Sequence, residues 1–172
     1  MNDRKIEVVE YDPHWAILFN TEKEMLQEAI GCAALNIEHI GSTAVLGLAA
    51  KPVIDILVEV SSLQALNTKD KNFESLGYEV KGENGIEGRR YFQKGGSQRT
   101  HHVHVFQTGH EGLIRHRAFK AYLIAYPEIM KEYGEIKKQA ANDCQNDIAL
   151  YMSMKNEFIQ KHEKLAVRWH GK

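Results

Sequence analysis

The chain has 172 residues, 43% of them hydrophobic and 26% charged, with 13 glycines, 3 prolines and a formal net charge of −1. Such a composition excludes collagen-like, low-complexity and wholly disordered chains, and the length supports a core that buries roughly 70% of the unfolded surface without disulfides or metal. The near-neutral balance supplies no global basic field for a long nucleic acid, which leaves room for a local phosphate site.

The polar start Met1-Asn2-Asp3-Arg4-Lys5 lacks the apolar stretch of a signal peptide, and no apolar run is long enough to span a bilayer. Cys32 and Cys144 are isolated and match no CxxC spacing. These features predict a cytoplasmic protein with two reduced thiols and no membrane partner. Ile6 to Tyr11 alternates as a strand does. Asp12-Pro13 then supplies an N-cap followed by proline at the first helical position, and the apolar spacing from Trp15 to Ile30 predicts an amphipathic helix ending at Gly31. Leu35 to Ile40 reads as a second strand, stopped by Gly41-Ser42. Pro52 to Val60 reads as a strand apolar on both faces, interrupted by Asp55. A serine-capped helix, with Leu63, Leu66, Phe73 and Leu76 as its stripe, runs to Gly77.

Tyr78 to Val80 restarts a strand. Arg90 to Lys94 and Thr100 to Phe106, on either side of Gly95-Gly96, predict a hairpin. Helical spacing returns after Gly109, from Leu113 to Tyr126, from Pro127 through Ile136, and from about Asn146 to Val167. The expected architecture is a single α+β domain over 1–172: a mixed sheet with helices on it (1–108) and a helical part (109–172).

Three constellations carry chemistry. Gly41-Ser42-Thr43 at a strand end lets the backbone approach a ligand and offers donors to a phosphate, although the same residues suit an ordinary turn. Asp55 lies in an apolar run, where a carboxylate costs several kcal/mol unless compensated; it suits holding Mg2+ against a polyphosphate, or pairing with Lys51, an arginine or a histidine. In Arg99-Thr100-His101-His102-Val103-His104, strand periodicity sets His102 and His104 on one face and His101 on the other. The pair can ligate a transition metal, orient a phosphate or exchange protons, with Asp55 or His39 as a third ligand if the fold brings them together; a solvated strand face is the plainer reading. Lys51, Arg89, Arg90 and Arg99 can clamp phosphate if they face one cleft. Arg115-His116-Arg117 reads as a solvated helix face or cap, and Phe119, Tyr122 and Tyr126 as packing.

Glu38-His39-Ile40-Gly41-Ser42-Thr43-Ala44-Val45, followed by Lys51-Pro52-Val53-Ile54-Asp55-Ile56, resembles the GrpB family. Arg90-Tyr91-Phe92, the Arg99 to Val105 block, the Arg117 to Tyr133 helical pattern and Tyr151 to Ile159 extend the likeness along the chain. Leu46 stands where the family usually has proline. The family in turn looks like the DNA polymerase β-type nucleotidyltransferases, in which a Gly-Ser turn opens a helix beneath the triphosphate and two strand carboxylates hold the metals. That resemblance implies phosphate binding by Gly41, Ser42, Thr43, Lys51 and Arg99. It also implies a catalytic and metal-binding set of Asp55, His102 and His104, with Mg2+ or Mn2+ as cofactor, or a transition metal as alternative. Val53 takes the place of the first carboxylate. Some GrpB-type domains are joined to a dephospho-coenzyme A kinase module, which points towards nucleotide or cofactor metabolism. The implied function is binding of a nucleotide or related phosphorylated small molecule, with nucleotidyl transfer to an unknown acceptor if the chain is an enzyme. A binding module that lost the paired carboxylates, and a His/Asp metal-dependent hydrolase, are the alternatives.

Overall fold

The computed structural model describes residues 6–171; the polar stretch Met1–Lys5, on which the absence of a signal segment was argued, and Lys172 lie outside the described residues. Helix α1 (His14–Ile30) begins as the sequence requires, with the Asp12 carboxylate accepting from the His14 N–H around Pro13. Strand β1 (Ala34–Ile40) follows, then one turn of 3-10 helix over Ser42–Ala44, and strand β2 (Ile54–Val60). The stretch predicted as one helix up to Gly77 is two short ones, α2 (Leu63–Asn67) and α3 (Asp70–Ser75). The break falls at Thr68-Lys69, where the Thr68 hydroxyl donates to the Ala65 carbonyl. Such a local side-chain bond competes with helix continuation. Strands β3 (Tyr78–Val80), β4 (Arg89–Lys94) and β5 (His101–Gln107) complete the sheet, and helices α4 (Glu111–Ala125), α5 (Pro127–Asp143) and α6 (Ile148–His170) form the C-terminal half.

The five-stranded sheet has the order β1-β2-β5-β4-β3 and is mixed: β2 and β5 run parallel, and the other neighbours are antiparallel. The hairpin around Gly95-Gly96 is present as β4–β5, with Lys94 opposite His101. The expected strand at Ile6 to Tyr11 is not part of the sheet. Its ladder contact among the described residues is an isolated antiparallel bridge from Val9 to Ala50, ahead of β2.

Strand alternation gives each sheet face its own core. Ile54, Ile56, Val58, Val103, Val105 and Phe92 face α1 to α3, where Trp15, Leu26, Ile30, Leu66 and Phe73 meet them. On the other face Leu57 and Phe106 receive Leu113 of α4. Arg117 of α4 donates to Glu38 and to Glu59, each at 2.8 Å, which ties that helix to β1 and β2. Arg117 is therefore a structural ion-pair partner, and its neighbour His116 packs against His104 and Phe106. This segment is not the solvated face its polarity suggested. The aromatics of α4 are packing residues, as predicted. The Tyr122 hydroxyl bonds His162 Nδ1 of α6 at 3.0 Å, with both groups buried. Tyr122→Phe should lower stability by about 1 kcal/mol, a fall of roughly 2–4 °C in thermal midpoint.

Candidate functional site

The parallel pairing of β2 with β5 sets Asp55 directly beside His102, with His104 two residues further along the same face. Both imidazoles reach one oxygen of the carboxylate: His102 Nδ1 lies 3.2 Å and His104 Nε2 3.3 Å from Asp55 Oδ1. Each ring has an arginine behind it. Arg99 Nη1 is 3.4 Å from His102 Nε2, and Arg89 Nη1 is 3.4 Å from His104 Nδ1. A guanidinium can only donate. Where the arginines donate, the outer nitrogens accept and the inner ones carry protons towards the carboxylate, which defines two Arg–His–Asp relays ending on Asp55. Burial would raise the Asp55 pKa, but the hydrogen bonds from His102 and His104 work against it, and the carboxyl is held well below the usual range. Nitrogen NMR should find opposite tautomers, Nδ1–H on His102 and Nε2–H on His104. Matching tautomers would contradict the relays.

This arrangement bears on the expected metal set. The nitrogens facing Asp55 present N–H rather than lone pairs, and the lone pairs face arginines. Among the described residues no group of three or more His, Cys, Asp and Glu side chains is placed to hold a metal ion. The donors do not fit a transition-metal cage as arranged, and a hard cation would find Asp55 beside the apolar Val53, with no second carboxylate in the cavity lining.

The turn lies directly over Asp55. A Cβ built on Gly41 would stand 2.8 Å from Asp55 Oδ2, and Gly41 has φ of 75° and ψ of −171°. The missing side chain is what lets the turn approach the carboxylate. The expected helix after Gly-Ser is the single 3-10 turn already described. Thr43 is buried within it, its hydroxyl 2.9 Å from His39 Nε2 and donating to the Val53 carbonyl at 3.4 Å. Thr43 thus holds the turn to β2. The Ser42 side chain donates to the Tyr133 hydroxyl, which tempers the upward push of burial on that phenol.

The predicted cations separate. Arg99 stands behind His102 and also bonds Gln93 Oε1 at 2.6 Å, and Arg89 stands behind His104. Arg90 lies on the opposite face, with its Nε on Asn67 Oδ1. Lys51 alone of the four lines the cavity beside Asp55, a space of about 210 Å3 bounded also by Ser42, His102, Lys137, Tyr151 and Lys155.

Lys137 of α5 and Lys155 of α6 were not anticipated. The C-terminal helices bring them over the mouth of the sheet by packing Tyr133 and Phe158 against Val45 and Leu48, the residues that follow the turn. Lys137 is only 2% exposed, and its Nζ has no hydrogen-bond partner. Its closest described interaction is with the Tyr133 ring, 4.4 Å from the centroid. Burial, then the charges of Lys155 and Lys51, push the ammonium pKa down to about 6 against the pull of Asp55. Lys155 falls to about 8 through burial and Lys51, again opposed by Asp55. A signal for both lay in the sequence. Tyr133, Lys137, Ala140 and Cys144, and likewise Tyr151, Lys155, Phe158 and His162, follow the spacing of a buried helical stripe, with lysine where an apolar residue belongs.

Residues 5–165 match the model of the family described as GrpB protein. A crystal structure of the conserved protein GrpB from Enterococcus faecalis superposes with a TM-score of 0.93 at 42% identity, covering 96% of this chain and all of that one (100%). The UPF0157 protein YqkA of Bacillus subtilis is 47% identical over 166 residues, 96% of this chain but 48% of YqkA, so this chain spans about half the length of that relative. The Cid1 poly(U) polymerase overlaps in part, with a TM-score of 0.46 and 12% identity over 76% of this chain and 45% of the polymerase chain. No helix among the described residues is long and apolar enough to cross a membrane.

Proposed function

The chain belongs to the GrpB protein family, and from that premise we propose that it binds a phosphorylated small molecule by its phosphate end, using lysines rather than carboxylate-held metal ions to neutralise the charge. The observation that carries this reading is Lys137, a buried amine with no hydrogen-bond partner, in one cavity with Lys51, Lys155 and the Ser42 hydroxyl. A buried lysine without an acceptor costs free energy in the empty protein, where it must give up its proton or stay charged and unpaired, and a bound dianion removes that cost. The cavity of about 210 Å3 is smaller than the roughly 300–1,000 Å3 of pockets that enclose whole ligands. It suits a phosphate group and a short adjoining segment, with any base or sugar projecting outward.

Asp55 has a separate role in this reading. Its relays to Arg99 and Arg89 fix the carboxylate as a negative wall on one side of the cavity, which orients the ligand and limits how many anionic groups enter. Nucleotidyl transfer needs two divalent ions on paired carboxylates. Val53 in place of the first acid favours binding over transfer.

A thermal-shift titration with inorganic phosphate, short phosphate monoesters and the four nucleoside triphosphates, in EDTA and then in Mg2+ or Mn2+, tests the reading. Phosphate at 100 times its dissociation constant should stabilise the protein by about 2.7 kcal/mol, on the order of 5–10 °C, equally well in EDTA. Absence of a shift with every phosphate compound would refute it. Stabilisation by a triphosphate only with metal, lost in Asp55→Asn, would replace it with the transferase reading.

A further inference from the structure

The cavity holds more cationic groups than a single phosphate requires, and they are not equivalent. Lys51 and Lys155 are partly exposed at its rim, whereas Lys137 lies at its buried side with no hydrogen-bond acceptor. Tyr151 lines the same cavity, fully buried, and its hydroxyl is also without a partner. We propose that Lys137 is a nucleophilic amine that forms an imine with a phosphorylated aldehyde or ketone, whose phosphate is held by Lys51, Lys155 and Ser42. The ligand class rests on the phosphate-binding reading above; the amine chemistry rests on Lys137 and its surroundings.

Four groups besides Tyr151 set the state of that amine. Lys51 and Lys155 repel its proton, Asp55 attracts it, and the Tyr133 ring face lies 4.4 Å away. Burial and the two lysines prevail, so the amine carries its lone pair near neutral pH. A desolvated lysine beside other cations is a recurring way to make an amine nucleophilic. In the reaction the Nζ lone pair attacks the carbonyl carbon, and the carbonyl oxygen takes up a proton to give a carbinolamine. The nitrogen releases one proton as the carbinolamine forms and its other as the C=N bond forms, while the hydroxyl takes up a second proton and leaves as water. Amine plus carbonyl thus yields imine plus water, with no change of oxidation state. Burial pushes the Tyr151 hydroxyl up to about 12, so it is protonated and able to donate to the departing oxygen.

The test uses the intact protein, with glycolaldehyde phosphate as probe and sodium cyanoborohydride to reduce the imine to a stable secondary amine. Peptide mass mapping locates the adduct. Lys137 should label about tenfold faster than any other lysine at pH 7, and keep its labelling towards pH 6, where surface lysines are fully protonated. Inorganic phosphate should suppress the labelling several-fold, and Lys137→Arg should abolish it without raising labelling elsewhere. If phosphate stabilises the protein but label spreads over surface lysines and spares Lys137, the imine is refuted and phosphate binding stands. If Lys137 labels yet phosphate neither protects nor stabilises, the phosphorylated ligand is refuted. Because the mapping is done on the wild-type chain, a poorly folding variant does not decide the outcome.

Discussion

Lys137→Met is expected to make the ligand-free protein more stable and, at the same time, to weaken its response to phosphate. Methionine matches the length of the lysine stem, packs against Tyr133 and Ala140 on the same helical stripe, and removes a buried amine that has no hydrogen-bond partner. The unfolded chain keeps this lysine protonated up to its ordinary value of 10.5, whereas the folded protein releases the proton above about 6. Between those values the unfolded state binds more protons, so this group makes stability rise with pH across the window. Its penalty is greatest below about 6 and vanishes above 10.5. Near pH 7 the gain from Lys137→Met should be on the order of 2–4 kcal/mol, narrowing as pH rises towards 10. Thermal midpoints of both proteins across that range, with and without phosphate, measure both effects. A destabilised variant, or one whose response to phosphate is unchanged, would remove Lys137 from the site.

Gly41→Ala should have the opposite sign and act on both stability and ligand binding. At φ of 75° and ψ of −171° the backbone lies in a region that L side chains essentially never adopt, which costs about 1–3 kcal/mol. The added Cβ would also meet Asp55 at 2.8 Å from Oδ2 and 3.1 Å from Cβ. The contact can be relieved only by moving the turn or by turning the carboxylate away from His102 and His104. We expect a total loss of about 2–4 kcal/mol, a fall on the order of 5–15 °C, together with weakened phosphate binding, because Ser42 moves with the turn. Gly31→Ala is a suitable comparison: Gly31 also has positive φ, at 70°, but a Cβ there meets nothing within 4 Å. Equal losses in the two variants would mean that backbone strain alone, and not the approach to Asp55, accounts for the effect.

Much of this molecule was legible in the sequence because its signals are local. Asp12-Pro13 marks the start of α1 through a backbone N–H and a proline ring, and the Gly95-Gly96 turn marks the β4–β5 hairpin. Period-two spacing sufficed to put His102 and His104 on one face and His101 on the other, where it meets Glu22 at 3.6 Å. The isolated carboxylate of Asp55 correctly announced that some partner must compensate it. What local signals could not convey was which one. The parallel register of β2 against β5 made the partners His102 and His104, and the β4 pairing put Arg89 behind one of them. Nor could they show that Ile6 to Tyr11 stays outside the sheet, since strand pairing depends on which edges remain open. The lysines are the clearest case. Lys137 and Lys155 stand at apolar positions of their helical stripes, but what they face is fixed only when α5 and α6 fold back across the turn after β1. From the sequence alone one obtains the elements, their faces and the residues that cannot sit alone in apolar surroundings. Only the tertiary structure decides which of those meet, because desolvation and charge pairing act between groups far apart in the chain and exist only once packing has brought them together.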